Sequence, residues 1–538
     1  MTGWGAERIA AAAAGARLLQ GRDGAPGRAI IDSREAQPGD LFVGLPGEHV
    51  DGGAYAEQAL RAGAWGVLVA PGHAQALLAE AAPEKARAPA EAAPPVHGHA
   101  PRPASGAVLA HPDPLAAMQA LAHEWRRALG EEGAKVVAIT GSTGKTSTKD
   151  ILAALLRDAK EQLGGPTVAS RANLNTEIGL PLTVLGAPAG TKVLVLEMAM
   201  RGSGQIAELT AIAQPNIGVI VNVGPVHLEQ LGTIERVAAA KAELIAGMAS
   251  GTTVVVPAGE PLLEPHLHAD QHTVTFGEGG DLELVGRAEN GEVTILDRSH
   301  AKAASGGRMS DESPGGADHA DHAHGGERIT VRPSFTQSHN LRNLLAATAA
   351  ARALGVTPRG RLDVELSALR GERVTLARGI VLINDCYNAN PMSMRAALDD
   401  LAASEGARKV AVLGDMLELG GEERRLHREI GAYARARGVD LLLTVGPRAS
   451  EMGKEEVGEG AVYSAPDAAE AAKLLERLLC AGDVVLVKGS RGMQLERVAQ
   501  LLKADLAGGH SPGSSRQRSD VPGAGVSGSQ TVEQSRSG

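Results

Sequence analysis

A chain of 538 residues with 43% hydrophobic and only 2% aromatic content has room for about three domains, with cores packed mainly by Leu, Val, Ile and Ala. A net charge of −10 argues against a general binder of nucleic acid or anionic membrane. The two cysteines, Cys386 and Cys480, have no metal-ligand spacing and fit a reducing compartment.

In chain order, the alanine-rich run from Glu7 to Leu19 predicts a surface helix rather than a signal peptide. Residues 1–110 read as a small α/β unit, with 81–105, rich in Ala and Pro, as a loop or insert. Across 111–358, strand candidates at 192–198, 216–223 and 252–257 are separated by helical patterns, as a parallel sheet with crossover helices requires. Within that block 301–327 is of low complexity and is expected to be a disordered insert. Its His319, His322 and His324 lack an apolar anchor and read as a flexible polar loop rather than a metal site. Residues 359–507 alternate four strands with helices, predicting a second doubly wound α/β domain. The tail 508–538 lacks the apolar residues needed to offset ordering entropy and is expected to be disordered. No stretch approaches about 18 strongly apolar residues, so no membrane insertion is expected and a cytoplasmic protein is the natural reading.

The chemistry starts at Val136–Asp150, VVAITGSTGKTSTKD. A strand-forming run enters a Gly-rich turn, and Gly144-Lys145-Thr146 opens a helical pattern. Such a turn aims backbone N–H groups at one spot on the positive end of a helix dipole. Lys145 can then reach β/γ-phosphates and Thr146 can ligate Mg²⁺. The usual phosphate loop has its first Gly at the position held here by Ile139. That loss removes backbone freedom at one residue and leaves the donors in place. If Mg²⁺-bound nucleotide sits at Lys145 and Thr146, a carboxylate should end a neighbouring strand, and Glu197 follows the apolar Val193–Leu196.

The string TGSTGKT resembles the shortened phosphate loop of the Mur ligases, ATP-dependent amide-forming enzymes of bacterial peptidoglycan precursor synthesis. The resemblance implies ATP contacts from Gly141, Ser142, Thr143, Gly144, Lys145, Thr146 and Ser147. It continues in order through Glu197-Met198, NVGPVHLE around His227, and AKAE around Lys241. In that family the Glu binds Mg²⁺ with the loop hydroxyl, the His ligates a second Mg²⁺, and the Lys is carbamylated so that it too binds metal. A carbamate turns a cation into an oxygen donor, which a hard cation prefers. NLNTEIGLPL resembles the family's asparagine segment and makes Asn173, Asn175 and Thr176 candidate substrate contacts. HNLRNLLAA resembles the adenine-contacting helix through Asn340, with Asn343 one turn on; Gln337 stands where the family usually has Gly.

INDCYNANPMSM, VLGDMLELG and LVKGSRGMQLE resemble segments of the branch that adds D-alanyl-D-alanine to UDP-N-acetylmuramoyl-tripeptide. They suggest Asp385 for the nucleotide and Asn388, Asn390, Lys488, Ser490 and Arg491 for the substrate cleft, with Asp415 on a nearby loop. Arg370, with Arg373 as the alternative, matches an arginine that meets ATP on closure. In DSREAQPGDLF, Ser33 and Arg34 are candidate contacts to the uridine diphosphate. The implied architecture is a small α/β N-terminal domain, a central P-loop-type ATPase domain with a parallel or mixed sheet, and a Rossmann-like C-terminal ligase domain. The implied protein is a monomer using ATP and two Mg²⁺ ions. The alternatives are a diaminopimelate-adding or folylpolyglutamate-type ligase and a non-catalytic ATP-binding scaffold. No D-N-P-R string of the diaminopimelate-adding type occurs, and the intact set Lys145, Thr146, Glu197, His227 and Lys241 argues against a scaffold.

Overall fold

The computed structural model describes all residues except Thr2, 82–105, 300–325, 455–459 and 508–538. The expected inserts, apart from their end residues, the three insert histidines and the tail lie outside the described residues. The rest forms three sheets.

The N-terminal sheet has strands β1 (Arg17–Gln20), β2 (Ala29–Ile30), β3 (Leu41–Val43), β4 (Gly66–Val69) and β5 (Ala107–Ala110), in the order β1-β5-β4-β3-β2. The predicted helix over Glu7–Leu19 is only half right. Helix α1 (Ala6–Ala12) ends ahead of Gly15, whose φ of +75° turns the chain, and Arg17–Gln20 pairs antiparallel with β5. Alanine favours helix, but a left-handed glycine and cross-strand pairing override it there.

The central sheet runs β15-β14-β13-β12-β11-β10-β9-β6-β8-β7. Its strands are β6 (Lys135–Thr140), β7 (Thr167–Ala169), β8 (Val193–Glu197), β9 (Ile217–Ile220), β10 (Thr253–Pro257) and β11 (His272–Phe276). They continue as β12 (Leu282–Arg287), β13 (Val293–Asp297), β14 (Glu327–Pro333) and β15 (Gly360–Leu362). β6 through β11 are parallel, as expected, whereas β12-β13-β14 form an antiparallel extension. β15 pairs with β14, so the central sheet reaches Leu362, past the boundary placed at 358.

β6 shows why this sheet is buried on both faces. Val136 and Ala138 enter one hydrophobic cluster and Val137 and Ile139 the opposite one, following the two-residue period of a strand. The first cluster continues without a break into the N-terminal domain through Leu41, Trp65 and Leu109, and Trp125 meets Trp4 edge-on at 5.2 Å. β9 and β8 flank β6, so the loops after these three strands converge where the chain order of the sheet reverses. Ligand sites of α/β sheets form at such a point.

The C-terminal sheet has β16 (Glu372–Thr375), β17 (Val381–Asn384), β18 (Lys409–Gly414), β19 (Leu441–Val445), β20 (Ala461–Ala465) and β21 (Val484–Lys488), ordered β16-β17-β21-β18-β19-β20. All neighbours are parallel except β16 with β17. Its two faces are covered by clusters of its own. No helix among the described residues is long and apolar enough to cross a membrane.

Candidate active site

β6 ends at Thr140, and helix α2 (Lys145–Asp158) begins five residues later. Two features force glycine at position 144. Its φ is +75°, and a Cβ there would stand 2.6 Å from the side-chain oxygen of Asn343. Asn343 lies on helix α3 (Ser338–Ala353), one turn after Asn340, to whose oxygen it donates across 3.3 Å. Both asparagines are buried, so α3 closes over the loop along its polar edge.

The loop is also fastened from β9. Ser142 donates its hydroxyl to the carbonyl of Gly224 at 3.0 Å and accepts the Gly224 N–H at 2.9 Å. Asn222 accepts the Thr143 N–H at 2.9 Å and donates to the Thr143 carbonyl at 3.1 Å. The side chain of Ser142 and the amide of Thr143 are therefore occupied in shaping the loop. Lys145 folds back and donates to the Gly141 carbonyl at 2.8 Å. Ser147 is buried behind Thr146 on the same helix turn.

Thr146 donates to Glu197 at 2.8 Å, and Asn175 donates to the other oxygen of that carboxylate, also at 2.8 Å. Ser170 accepts the Glu197 N–H. Glu197 is buried at the end of β8 and forms no ion pair with Lys, Arg or His among the described residues. Asn173 and Thr176, on the same segment as Asn175, are exposed.

Lys241 is on the helix Ile234–Ala246, which follows a short turn of helix, Leu228–Leu231. Its side chain is 2% exposed and meets no carboxylate within ion-pair distance among the described residues. Burial first, then the nearby charge of Lys145, holds its amine well below the usual lysine range. Lys145 is likewise pushed down by burial and by Arg370, while Glu197 pulls it up. Lysines 145 and 241 and Arg370 thus share one field with a single carboxylate among the groups named. Such an excess of cations, in a chain of net charge −10, suits a polyphosphate.

His227, held at φ +52°, sits at the start of the Leu228–Leu231 turn. Its Nδ1 is 2.5 Å from a carboxylate oxygen of Glu418 in the C-terminal domain. Arg370 lies 4.1 Å over the Tyr387 ring with a buried Nε that has no hydrogen-bond partner among the described residues. Arg373, the alternative, is instead taken up by Asp400 and Ser404.

Of the remaining candidates, Asp385 and Lys488 both act electrostatically on His339, the residue before Asn340. Lys488 is buried and spends its hydrogen bonds on Asp385 and the Asn388 carbonyl. Asn390 caps helix Pro391–Ala403 in a reciprocal box with Ser393, and Ser490 accepts the Leu417 N–H. Asn388 is exposed, and Arg491 pairs with Glu496. Asp415 accepts the Ala449 N–H. In the N-terminal domain Ser33 donates to Gln58, while the exposed Arg34 forks onto Asp32. Lys488, Asn390 and Ser490 are thus built into the C-terminal loops as struts, because a buried ammonium, a helix N-terminus and two loop crossings each need a polar partner.

Sequence reasoning missed Asn222, Gly224 and Glu418. Asn222 follows the β9 strand and could have been flagged as a polar residue at a strand end beside the loop. Glu418 lies within the segment VLGDMLELG but received no role, since its partner is 191 residues away.

Comparison with known proteins agrees with this geometry. The family description "Mur ligase middle domain" matches residues 139–351, "Mur ligase, glutamate ligase domain" matches 369–491, and "Mur ligase family, catalytic domain" matches 30–125. The chain is 31% identical to the UDP-N-acetylmuramoyl-tripeptide--D-alanyl-D-alanine ligase of Bacillus subtilis, over 87% of this chain and 91% of that one. It is 34% identical to the ligase of the same name from Mycobacterium tuberculosis, over 89% and 92%. Among solved structures, MurF from Acinetobacter baumannii superposes with a TM-score of 0.71 at 26% identity, covering 93% of this chain and 98% of that one. MurF ligase from Thermotoga maritima in complex with ADP gives 0.66 at 27% identity, covering 89% and 98%.

Proposed function

This chain belongs to the Mur ligase family, and from that premise we propose that it adds D-alanyl-D-alanine to UDP-N-acetylmuramoyl-tripeptide at the expense of ATP. The observation that carries the reading is the buried Thr146–Glu197 pair at a helix N-terminus, ringed by Lys145, Lys241 and Arg370. The tripeptide carboxylate takes the γ-phosphoryl group and becomes an acyl phosphate, releasing ADP. The dipeptide amine then adds to the activated carbonyl, and collapse of the tetrahedral intermediate expels phosphate.

Each residue has work in that sequence. Lys145 and the loop amides offset negative charge on the phosphoryl oxygens, and Arg370 adds a second cation from the side of the C-terminal domain. Thr146 and Glu197 offer a hydroxyl and a carboxylate that no salt bridge occupies among the described residues, a donor set that fits Mg²⁺. His227 and a carbamylated Lys241 would hold a second Mg²⁺. The bound ions would supply further neutralisation of phosphate charge. Carbamylation needs a neutral amine: the lone pair of Lys241 Nζ adds to CO₂, a proton leaves to water, and a carbamate remains. Burial lowers the proton affinity of that amine, the direction that favours the reaction.

The proposed setting is the cytoplasm, with the monomer as the active species; light scattering at assay concentration tests the latter. The function is tested by supplying ATP, Mg²⁺, UDP-N-acetylmuramoyl-tripeptide and D-alanyl-D-alanine and following phosphate. Release that depends on the dipeptide supports the assignment. Phosphate release indifferent to the dipeptide would sink it.

A further inference from the structure

Glu418 reaches the central domain twice. Its carbonyl accepts the N–H of Glu229 at 3.2 Å, and its carboxylate meets His227 Nδ1 at 2.5 Å. The loop that carries it is fixed from below. Met416 donates its N–H to His427, Leu417 donates to Ser490, and Leu419 is buried in a cluster of the C-terminal domain. Leu228, next to His227, packs against that same cluster. Gly420, at φ +58°, lies so close that a Cβ would stand 3.2 Å from the Glu229 Cα. Glu418 itself has a φ of +63°, a backbone state that a non-glycine residue adopts at some cost.

An imidazole has two nitrogens, and a carboxylate on one settles what the other can do. With Glu418 accepting from Nδ1–H, the lone pair is left on Nε2, the nitrogen then able to ligate a cation. No hydrogen bond to Nε2 is present among the described residues. The charges of Lys145 and Lys241 both act on this ring, which places it in the field of the phosphate loop.

We infer that Glu418 is a positioning residue for His227, delivered by the C-terminal domain, so that the histidine is fixed as a metal ligand only when that domain is docked. This rests on the reading of His227 as a ligand. The result would be a cation site whose affinity depends on closure, although the residues thought to touch the cation belong to the central domain.

The test is Mn²⁺ binding to the full chain with ADP present, followed by electron paramagnetic resonance, for wild type, His227→Ala, Glu418→Ala, Glu418→Gln and the His227→Ala/Glu418→Ala double variant. Glu418→Ala should weaken one Mn²⁺ site by about 10-fold or more. Glu418→Gln, whose amide oxygen can still accept from Nδ1–H, should stay within a few-fold of wild type. The double variant should bind no worse than His227→Ala alone. Unchanged Mn²⁺ binding in Glu418→Ala, with His227→Ala weakened, overturns the role of Glu418 and leaves the metal reading standing. Losses that multiply in the double variant also overturn it, because they mean that Glu418 acts by another route. Unchanged binding in His227→Ala overturns both readings. Circular dichroism melts of each variant separate a loss of metal from a loss of fold.

Discussion

Thr146, on the helix that follows β6, donates its hydroxyl to Glu197 at the end of neighbouring β8, across 2.8 Å in a buried setting. A single hydrogen bond of this kind contributes only about 1 kcal/mol to stability, whereas a misplaced donor in a charged transition state costs about 10²-fold or more in rate. Thr146→Ala should therefore lose at least about 100-fold in dipeptide-dependent phosphate release while its thermal midpoint moves by only a few degrees. Thr146→Ser, which keeps the hydroxyl, should recover most of the rate.

Gly144 sits under Asn343, and two separate penalties are expected on adding a methyl group. Backbone strain at φ +75° amounts to about 1–2 kcal/mol, and the clash with the Asn343 oxygen adds to it. Gly144→Ala should weaken binding of a non-hydrolysable ATP analogue by more than 10-fold, read by calorimetry. Combining it with Asn343→Ala removes the clash alone, so affinity should return only in part.

Lys488 and Asp385 form a pair at 2.8 Å with the ammonium buried and the carboxylate partly open. Taking one partner from a buried pair typically costs about 3–5 kcal/mol, and the exposure of Asp385 puts this case at the low end. Lys488→Met should lower the denaturant midpoint of the C-terminal domain accordingly. A loss of activity with no loss of stability would instead point to direct contact with substrate.

His427 is fully buried, donating from Nδ1 to the Glu423 carbonyl and accepting the Met416 N–H at Nε2. Burial, with a smaller push from Arg448, lowers its pKa below 6.5, against the pull of Glu423 and Asp415. Between the folded and unfolded values the unfolded chain binds more protons, so stability is complete above about pH 6.5 and is lost as the pH falls through the folded value. The thermal midpoint of the C-terminal domain should drop between pH 7.5 and 5.5. In His427→Gln, which can keep both hydrogen bonds without titrating, the drop should be shallower.

Much of the central domain was legible because its strands are continuous apolar runs between glycine and helix signals. Val193–Glu197 and Thr253–Pro257 fall within a residue of where the pattern put them. The antiparallel strands β12 to β14 escaped notice, since half-exposed strands such as Leu282–Arg287, with charged residues in the run, look like loop in composition. At the site, residues close in sequence to the phosphate loop could be ordered by motif. Whether a polar group faces ligand or protein could not be read that way: Asn390 and Asn175 are alike in sequence, yet one caps a helix and the other grips Glu197. Partnership across domains, as between His227 and Glu418, leaves no periodic trace.

The hydrophobic cluster that runs from Leu41 and Trp65 through Trp125 to Val136 joins the N-terminal and central domains, while the C-terminal domain rests on its own clusters and meets that cluster through Leu228. Three domains by topology should then behave as two bodies. Calorimetry should resolve two melting transitions rather than three. During turnover the tripeptide-holding and phosphate-holding parts would travel together, and the relative motion would be concentrated at one joint, the segment between Leu362 and Glu372 where Ser367 is anchored by Asp150 of the phosphate-loop helix.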